Sequence, residues 1–418
     1  MSDFVTELEA LLKTDKKLEA VSAITASKNR DEIIPTGLLP FDIVAGGGIS
    51  RGTIISIYGP RSAGKSTLTD SICAAWTKSS PYALIYRVES ERCMDPERLS
   101  RIGVDIDRVR CLANDKALVL EDCFDQIKAF QDLIYGKYGD KVPVLIVWDT
   151  ISMASSRSEV EGDKWASGMM ADARIIKQGM KELNARCASY KHSAIILNQV
   201  MQAGKNRITG QMQYAVGGGE AMQHIPSMII EVSRSTSKDR QIYNPNPADP
   251  KNPEIIGSEV DIKLRKNKLT GLDNRSVSLV MYMTSGMSKL DSLVLYATDS
   301  GTCKKYFSGA GAWIQIYDHN GNEYKKINGK AKLGEEIKND PYLMKLIEYA
   351  GYKFYADQDP LYAAKYKDIL EKLSGELDSL LKDKNSVKVD MSGLEDLKLP
   401  ENFGELGDSE PDEEEIEE

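Results

Sequence analysis

The segment 59–67, with the sequence GPRSAGKST, constrains the fold of this chain more than any other feature. It matches the pattern GxxxxGK[ST], in which glycines let the backbone curl so that several N–H groups point at one anion. An apolar run at 53–58 precedes it, and an amphipathic segment at 65–77 follows. A strand, this loop and a helix whose N-terminus faces the anion form a phosphate-binding unit. The pattern predicts a nucleotide site formed by Gly59, Arg61, Ser62, Ala63, Gly64, Lys65, Ser66 and Thr67.

Apolar and amphipathic segments alternate along the chain on both sides of this loop. Further apolar runs lie at 83–88, 144–148, 194–197 and 228–232. Amphipathic segments lie between the earlier runs, at 65–77, 119–135 and 168–188. The alternation predicts an α/β fold with a mostly parallel sheet whose two faces are covered by helices. The segments 259–265 and 275–283 alternate apolar and polar residues, which predicts an antiparallel pair.

Cysteine and histidine usage argues against two kinds of site. The 418 residues include six cysteines, none in a CxxC pair, and three histidines without an HExxH pattern. We therefore expect neither a disulfide framework nor a histidine-based metal site.

The N-terminal segment lacks the apolar core of a signal peptide, and no apolar run is long enough to span a membrane. These features predict a soluble cytoplasmic protein with no membrane partner.

The acidic residues are concentrated at the C-terminus. The formal net charge is −9, and residues 391–418 contain twelve Asp or Glu and one Lys. This tail carries −11, which leaves +2 for the other 390 residues. An acidic tail on a near-neutral body is typical of proteins whose DNA site is regulated, and it also suits a tail that only aids solubility.

Changes in composition divide the chain into four parts. Residues 1–30 have apolar residues at helical spacing and predict a helical oligomerisation arm, which needs its own core or a neighbouring subunit to pack on. Residues 31–287 hold the alternating strands and helices, and 288–385 predict a smaller α/β domain. Residues 386–418 are predicted to be a disordered acidic tail.

The phosphate loop and one nearby carboxylate predict a Mg²⁺–nucleotide site. Asp149 closes the run at 144–148, at the strand end where an α/β sheet holds Mg²⁺; a cap of the next helix is the alternative. Ser66 is predicted to supply the second ligand of the metal. Lys65 is predicted to reach the β- and γ-phosphates and so to take part in catalysis.

Hydrolysis also needs a group that orients or deprotonates the attacking water. Glu89 and Glu91 follow the run at 83–88, and alternation along an extended segment puts both on the same side. Either glutamate is a candidate base, and for each the alternative is an ordinary surface carboxylate.

Several segments resemble, in order and spacing, the RecA family of recombinases, including its phage-encoded members. The resemblance covers about residues 30–345. Two stretches, VESERCMDPERLSRIGVDIDRV and FSGAGAWIQIYDHNG, are far more specific than the phosphate loop. Further matching segments are VLIVWDT, ILNQV, GGGEAM and KLRKNKLTG. The resemblance implies a RecA-type P-loop ATPase core with a mostly parallel sheet, an N-terminal helical arm, a small C-terminal α/β domain and an acidic tail.

The resemblance also implies roles for residues around ATP and Mg²⁺. Glu91, the second of the two candidate glutamates, falls on the position that activates the attacking water. Asp95 falls where the family contacts the adenine, and Gln199 where it senses the γ-phosphate. Lys266 and Lys268 fall on two lysines that reach the ATP of the adjacent subunit. Without the resemblance, these lysines would be interpreted as a solvated basic strand edge.

Two polar stretches, at about 155–168 and 200–219, have no period, and long irregular loops inside a domain are usually functional. The resemblance implies that they are the first and second DNA-binding loops. Basic side chains and glycines suit contacts with a phosphate backbone, and an apolar side chain can wedge between bases. The predicted DNA contacts are Met169, Arg174, Lys181, Lys205, Arg207, Gly217, Gly218 and Gly219.

The chain departs from the pattern of the bacterial family in several places, including Arg61 and Arg98. Arg61 lies where the phosphate loop of the family is acidic. Arg98 replaces an aromatic residue near the adenine. The substitution at Arg98 leads us to expect a difference in nucleotide selectivity.

The function implied by the resemblance is ATP-dependent homologous recombination. The expected partners are single- and double-stranded DNA, further copies of this chain in a helical filament, recombination mediators and single-strand-binding proteins. Two alternatives are a hexameric helicase-type motor with the same fold and an assembly ATPase that does not bind DNA. The arm at 1–30 and the GAGAW segment argue against the motor.

Overall fold

A computed structural model of the chain describes most residues between 32 and 382. The described ranges are 32–90, 94–112, 118–161, 169–205, 212–216, 219–249, 251–268, 270–271, 273–299, 301–310 and 312–382. The description is limited to the backbone at 161, 169–171, 201–205, 212–216, 299 and 310. Several predicted features lie outside these ranges, namely the arm at 1–30, the tail at 386–418, Glu91, Arg207, Gly217 and Gly218.

The chain divides into two compact units, Met1–Met287 and Ser288–Glu418. The described strands of the first unit are β1 (Ile33–Ile34), β2 (Ile49–Ser50), β3 (Ile54–Gly59), β4 (Leu84–Glu89), β5 (Val109–Cys111), β6 (Val144–Asp149), β7 (Ser193–Lys205), β8 (Met212–Val216), β9 (Met228–Arg234), β10 (Gln241–Tyr243), β11 (Ile255–Asn267), β12 (Arg275–Tyr282) and β13 (Gly286–Ser288). Its described helices are α1 (Leu39–Ala45), α2 (Lys65–Ser79), α3 (Pro96–Ile102), α4 (Leu120–Tyr138), α5 (Arg157–Glu161), α6 (Met169–Tyr190) and α7 (Ala221–His224).

Most of these strands form one mixed sheet in the order β13–β12–β11–β9–β3–β7–β6–β4–β5. The pairs β3–β7, β3–β9, β6–β7, β4–β6 and β4–β5 are parallel, whereas β11 is antiparallel to both β9 and β12. This confirms the predicted α/β fold with its mostly parallel sheet and the antiparallel pair near its edge. The carboxyl ends of β3, β4, β6 and β7 meet on one side, where sheets of this kind bind ligands.

Helices on both faces of the sheet explain why the apolar runs fold as buried strands. Every residue of β6 is buried, and the ring of Trp148 meets that of Phe124 on α4 edge to face, with centroids 5.0 Å apart. Gly179 of α6 lies against the same ring, and a Cβ there would be 2.4 Å from Phe124. The absence of a side chain at Gly179 lets α4 and α6 pack closely over the sheet.

Two stretches that the sequence shows as irregular contain regular structure. Strand β7 continues to Lys205 and pairs antiparallel with β8, so the stems of the stretch at 200–219 form a β-hairpin. The stretch at 155–168 contains the short helix α5. The hairpin is held by backbone hydrogen bonds, which need no apolar period, and this explains why the pattern of residues did not predict it.

The second unit has its own sheet and core. Its described strands are β14 (Phe307–Ala310), β15 (Trp313–Tyr317) and β16 (Glu323–Asn328), paired antiparallel in that order. Its described helices are α8 (Lys289–Asp299), α9 (Lys330–Asn339), α10 (Pro341–Ala356) and α11 (Pro360–Lys382). Leu333 of α9, Leu343 and Leu346 of α10 and Leu377 of α11 are buried, so an apolar stripe on each of these helices forms the core.

None of the helices in the described ranges is both long and apolar enough to cross a membrane.

Candidate functional site

The segment between β3 and α2 forms a tight backbone turn at the carboxyl edge of the sheet. Ser62 and Gly64 have φ angles of +57° and +99°, in the left-handed region. A Cβ on Gly64 would lie 2.9 Å from Sδ of Met281, and one on Gly59 would lie 2.0 Å from the carbonyl oxygen of Val232. Glycine is therefore required at both positions, by close packing and, at Gly64, also by backbone conformation.

This turn borders a cavity of about 600 Å³. Its lining includes the loop residues from Arg61 to Thr67, together with Asp149 and Gln199. The fold thus brings together the phosphate-loop residues, the strand-end carboxylate and the glutamine that the sequence singled out separately. Helix α2 begins at Lys65 and has no side-chain cap at its N-terminus, so its first N–H groups suit an anion in the cavity.

Lys65 and Ser66 occupy the first turn of α2. The ammonium group of Lys65 donates hydrogen bonds to the carbonyl oxygens of Gly59 and Pro60, at 3.1 and 2.8 Å. The Ser66 hydroxyl donates to Oδ2 of Asp149 at 2.7 Å, which links the loop to the end of β6. A hydroxyl beside a carboxylate is a donor set that suits Mg²⁺ held together with phosphate oxygens. Among the described residues, no group of three or more His, Cys, Asp or Glu side chains is arranged so that it could hold a metal ion.

Glu89 lies beside Asp149, because the two residues are register partners on β4 and β6. Burial raises the pKa of Glu89, the nearby Arg87 opposes this rise, and Asp149 adds to it. Oε1 of Glu89 accepts a hydrogen bond of 2.6 Å from Nε of Arg87. Glu89 is thus engaged by a buried arginine. Glu91, the predicted base, lies outside the described ranges. The peptide bond that follows Asp149 is cis.

Gln199 joins the phosphate loop to the hairpin. It is the register partner of Gly59, and its Oε1 accepts a hydrogen bond of 3.3 Å from Nε of Arg61. From the next residue, Val200, strand β7 pairs with β8 instead of the parallel sheet. One side chain therefore lies both at the cavity and at the base of the hairpin.

Asp95 has a local structural role in this conformation. Its Oδ1 accepts hydrogen bonds from the backbone N–H groups of Glu97 and Arg98, at 2.9 and 3.2 Å, and so caps α3. Asp95 is half exposed, and it is not part of the cavity lining. The predicted contact with adenine stays a prediction, because a capping carboxylate still has an oxygen that a ligand can reach.

Lys266 and Lys268 converge on the carbonyl end of α7. Nζ of Lys266 donates to the carbonyl oxygens of Gln223 and His224, at 2.8 and 3.0 Å, and Nζ of Lys268 donates to that of His224 at 3.1 Å. Strand alternation does not cause this convergence, because β11 ends at Asn267. Partial burial lowers the pKa of Lys266 to about 8, and the neighbouring Lys268 contributes.

The predicted DNA contacts with a described position lie around α6 and the hairpin. Arg174 and Lys181 are exposed and, being seven residues apart on α6, share one face of the helix. Gly219 has a φ of +69°, and a Cβ there would lie 3.7 Å from that of Ala173. Gly219 therefore lies beside α6, at Ala173. For Met169, the first residue of α6, and Lys205, the last of β7, only the backbone is described.

A set of ion pairs beside the loop was not predicted. Arg98 donates to Oδ2 of Asp70 at 2.6 Å and to the Thr67 hydroxyl at 2.8 Å, and Arg87 donates to Oδ1 of Asp70 at 2.8 Å. The one signal in the sequence is an arginine inside the apolar run at 83–88, since a buried strand takes a charge only when a partner neutralises it.

A phosphate-binding turn after a central strand, with a carboxylate at the end of a nearby parallel strand, defines a P-loop nucleotide-binding protein of the α/β class. A family model described as the RecA N-terminal domain matches residues 7–288. Protein RecA of a Thermus thermophilus strain is 29% identical over 330 residues, which cover 78% of this chain and 87% of that protein. Protein RecA of Fusobacterium nucleatum is 28% identical over 322 residues, covering 76% and 75%. The chain belongs to the RecA family.

Proposed function

We propose that this chain is an ATP-dependent recombinase, which forms a helical filament on single-stranded DNA and promotes homologous pairing and strand exchange. ATP hydrolysis is stimulated by DNA. The observation that carries the proposal is the position of Gln199, which borders the cavity, bonds to Arg61 and lies where β7 leaves the parallel sheet. Membership of the RecA family supports the same function.

Within the cavity, the residues of this chain divide the work of phosphoryl transfer. The backbone N–H groups of the loop and Lys65 hold the phosphates, and Ser66 with Asp149 holds Mg²⁺. Glu91 orients and deprotonates the attacking water. Gln199 contacts the γ-phosphate, so its side chain differs in position between the ATP and ADP states and changes the base of the hairpin with it.

ATP acts as a ligand for filament assembly. Lys266 and Lys268 of one subunit reach the triphosphate held by the next, as an arginine finger does in trans. The triphosphate replaces the carbonyl groups of α7 that these ammonium groups contact in the single chain. By linkage, ATP favours the active filament only to the extent that it binds that state more tightly.

DNA lies along the hairpin and the exposed face of α6. Arg174 and Lys181 bind phosphates, and the backbone around Gly219 allows a strand to approach closely. These contacts hold the backbone and not the base edges, so homology is tested by base pairing between the strands. Affinity is expected to fall steeply with salt concentration, because each neutralised phosphate releases counterions.

The deciding experiment measures ATP hydrolysis with and without single-stranded DNA, for the intact chain and for Glu91→Gln. We expect strong stimulation by DNA that is lost in Glu91→Gln, while binding of DNA in the presence of ATP persists. Absence of stimulation in the intact chain would contradict the proposal and favour an assembly ATPase that does not act on DNA. Electron microscopy with DNA separates a filament from the closed ring of a helicase-type motor.

A further inference from the structure

Four charged side chains form a continuous chain beneath the first turns of α2. Arg98 pairs with Asp70 at 2.6 Å, Asp70 pairs with Arg87 at 2.8 Å, and Arg87 pairs with Glu89 at 2.6 Å. The side chains of Asp70 and Arg87 are only 3% and 4% exposed, whereas that of Arg98 is 28% exposed. The chain therefore begins at a partly accessible arginine and continues into the interior.

Stability alone does not account for such a chain. Removing charges from water is costly, and replacing a buried ion pair by apolar residues of similar volume is often neutral or stabilising. The two ends of the chain point instead to the cavity. Arg98 contacts Thr67, which lines the cavity, and Glu89 lies beside Asp149.

The contact between Arg98 and Thr67 fixes the direction of a proton. Nη2 of Arg98 donates to the Thr67 hydroxyl oxygen at 2.8 Å. A guanidinium has no lone pair to accept a hydrogen bond, so the hydroxyl must direct its own proton elsewhere. Thr67 belongs to the first turn of α2, whose N–H groups also face the cavity. A phosphate oxygen placed there would accept both kinds of hydrogen bond, beside the positive charge of Arg98.

We propose that Arg98 is a positioning residue for nucleotide binding: anchored by Asp70, it holds the Thr67 hydroxyl as a donor to the phosphate nearest the nucleoside. The inference rests on the proposed ATP site. Asp95, the predicted contact of the adenine, caps the same helix α3, so the inference assigns Arg98 to the end of the nucleotide that ATP and ADP share. The γ-phosphate end is assigned to Gln199. The affinities for ATP and for ADP should therefore depend on Arg98 equally.

The test compares affinities of the full chain for MgATP and MgADP by titration calorimetry, together with the melting temperature without nucleotide. We expect Arg98→Ala and Arg98→Lys to lower the affinity for both nucleotides by about tenfold, which corresponds to the loss of one charge-assisted contact. Arg98→Lys should melt close to the wild type, because an ammonium group still pairs with Asp70 but lacks the planar fork that also reaches Thr67. Arg101→Ala is the matched control on α3, since its ion pairs are 3.9 Å long and exposed.

Thr67→Val separates positioning from a purely structural role. If Arg98 acts through the hydroxyl, Thr67→Val also lowers the affinity for both nucleotides. The double variant Arg98→Ala/Thr67→Val then binds them no more weakly than Arg98→Ala alone. Wild-type affinity in Arg98→Lys would overturn the inference, as would effects of the two single variants that multiply. An intact chain that binds no ATP would instead refute the proposed function, so the two failures are distinguishable.

Discussion

Nε of Arg61 in the phosphate loop lies 3.3 Å from Oε1 of Gln199 on β7. The two side chains come from parallel neighbours in the sheet, since Gly59 and Gln199 are register partners. A cation in the loop is thus in contact with the residue that immediately precedes the hairpin. In the proposed mechanism, a γ-phosphate competes for both partners of this hydrogen bond, so its arrival changes the environment of Gln199.

Arg61→Ala is expected to weaken the binding of ATP much more than the binding of ADP. Loss of one charge-assisted contact to the γ-phosphate corresponds to roughly tenfold in the dissociation constant of ATP, whereas ADP lacks that group. Titration calorimetry of both nucleotides measures the difference, with Lys128→Ala on the exposed face of α4 as a control for loss of a positive charge. Equal weakening of ATP and ADP would show that Arg61 does not contact the γ-phosphate.

Asp149→Asn is expected to impair metal-dependent hydrolysis while leaving the fold intact. The amide oxygen still accepts the hydrogen bond from Ser66, but the charge that holds Mg²⁺ is lost. We expect the rate of ATP hydrolysis to fall by about 100-fold and the Mg²⁺ concentration for half-maximal rate to rise. Kinetics at several Mg²⁺ concentrations, with unfolding curves as a control for folding, make the measurement. An unchanged Mg²⁺ requirement would leave Asp149 with only the role of a hydrogen-bond acceptor.

Gly64→Ala is expected to destabilise the chain and abolish nucleotide binding. A left-handed φ costs a residue with a side chain about 1–2 kcal/mol, and the added Cβ would also press on Met281. Gly136→Ala is the matched control, because this glycine lies within α4 and nothing lies within 4 Å of an added Cβ. There, alanine should stabilise by about 0.5–1 kcal/mol through helix propensity. Chemical denaturation measures the free energy of unfolding, which we expect to fall in Gly64→Ala and to rise in Gly136→Ala. Equal changes in the two variants would refute this assignment of strain to the loop.

His192 is expected to make the fold sensitive to acid. It is fully buried, and its ring nitrogens have no hydrogen-bond partner within the described residues. Burial, with a contribution from Arg51, lowers the pKa of His192 from 6.5 to about 4. Below pH 6.5 the unfolded chain therefore binds a proton that the folded chain does not, and stability falls until about pH 4, by up to roughly 3 kcal/mol.

The measurement for His192 is the free energy of unfolding from pH 8 to pH 4.5, compared with His192→Leu. Carboxylates titrate in both proteins, so the difference between the two curves isolates the histidine. The difference should be constant above pH 6.5 and should shift in favour of the variant as the pH falls. Parallel curves throughout would show that His192 titrates alike in the folded and unfolded chain.

The pKa of about 8 for Lys266 predicts a pH dependence of ATP-driven assembly. As the pH rises from 7 to 9, the free subunit loses this charge and must regain a proton to bind a triphosphate. Sedimentation with ATP should therefore show assembly weakening across that range, and Lys266→Arg should remove most of the dependence, because an arginine stays charged. The same decline in Lys266→Arg would assign the effect to another group.

Local sequence determined the parts of this protein that depend on neighbouring residues. The glycines and Lys65 of the phosphate loop, the strand that ends at Asp149 and the alternation of strands and helices all follow from periods and turn geometry. The family followed from segments such as GAGAW, whose spacing has no local physical explanation. The roles of individual residues at the site stay predictions, and Glu91 and Arg207 lie outside the described ranges.

Only the tertiary structure decided which distant residues meet. The order of the strands puts Gln199 beside Gly59 and Glu89 beside Asp149, and no local pattern encodes that order. The ion pairs from Arg98 to Glu89 arise because α2, α3 and β4 pack on one another, although Asp70 and Arg87 are 17 residues apart in sequence. Side-chain contacts of this kind depend on distances in space, whereas a sequence specifies only the distances along the chain.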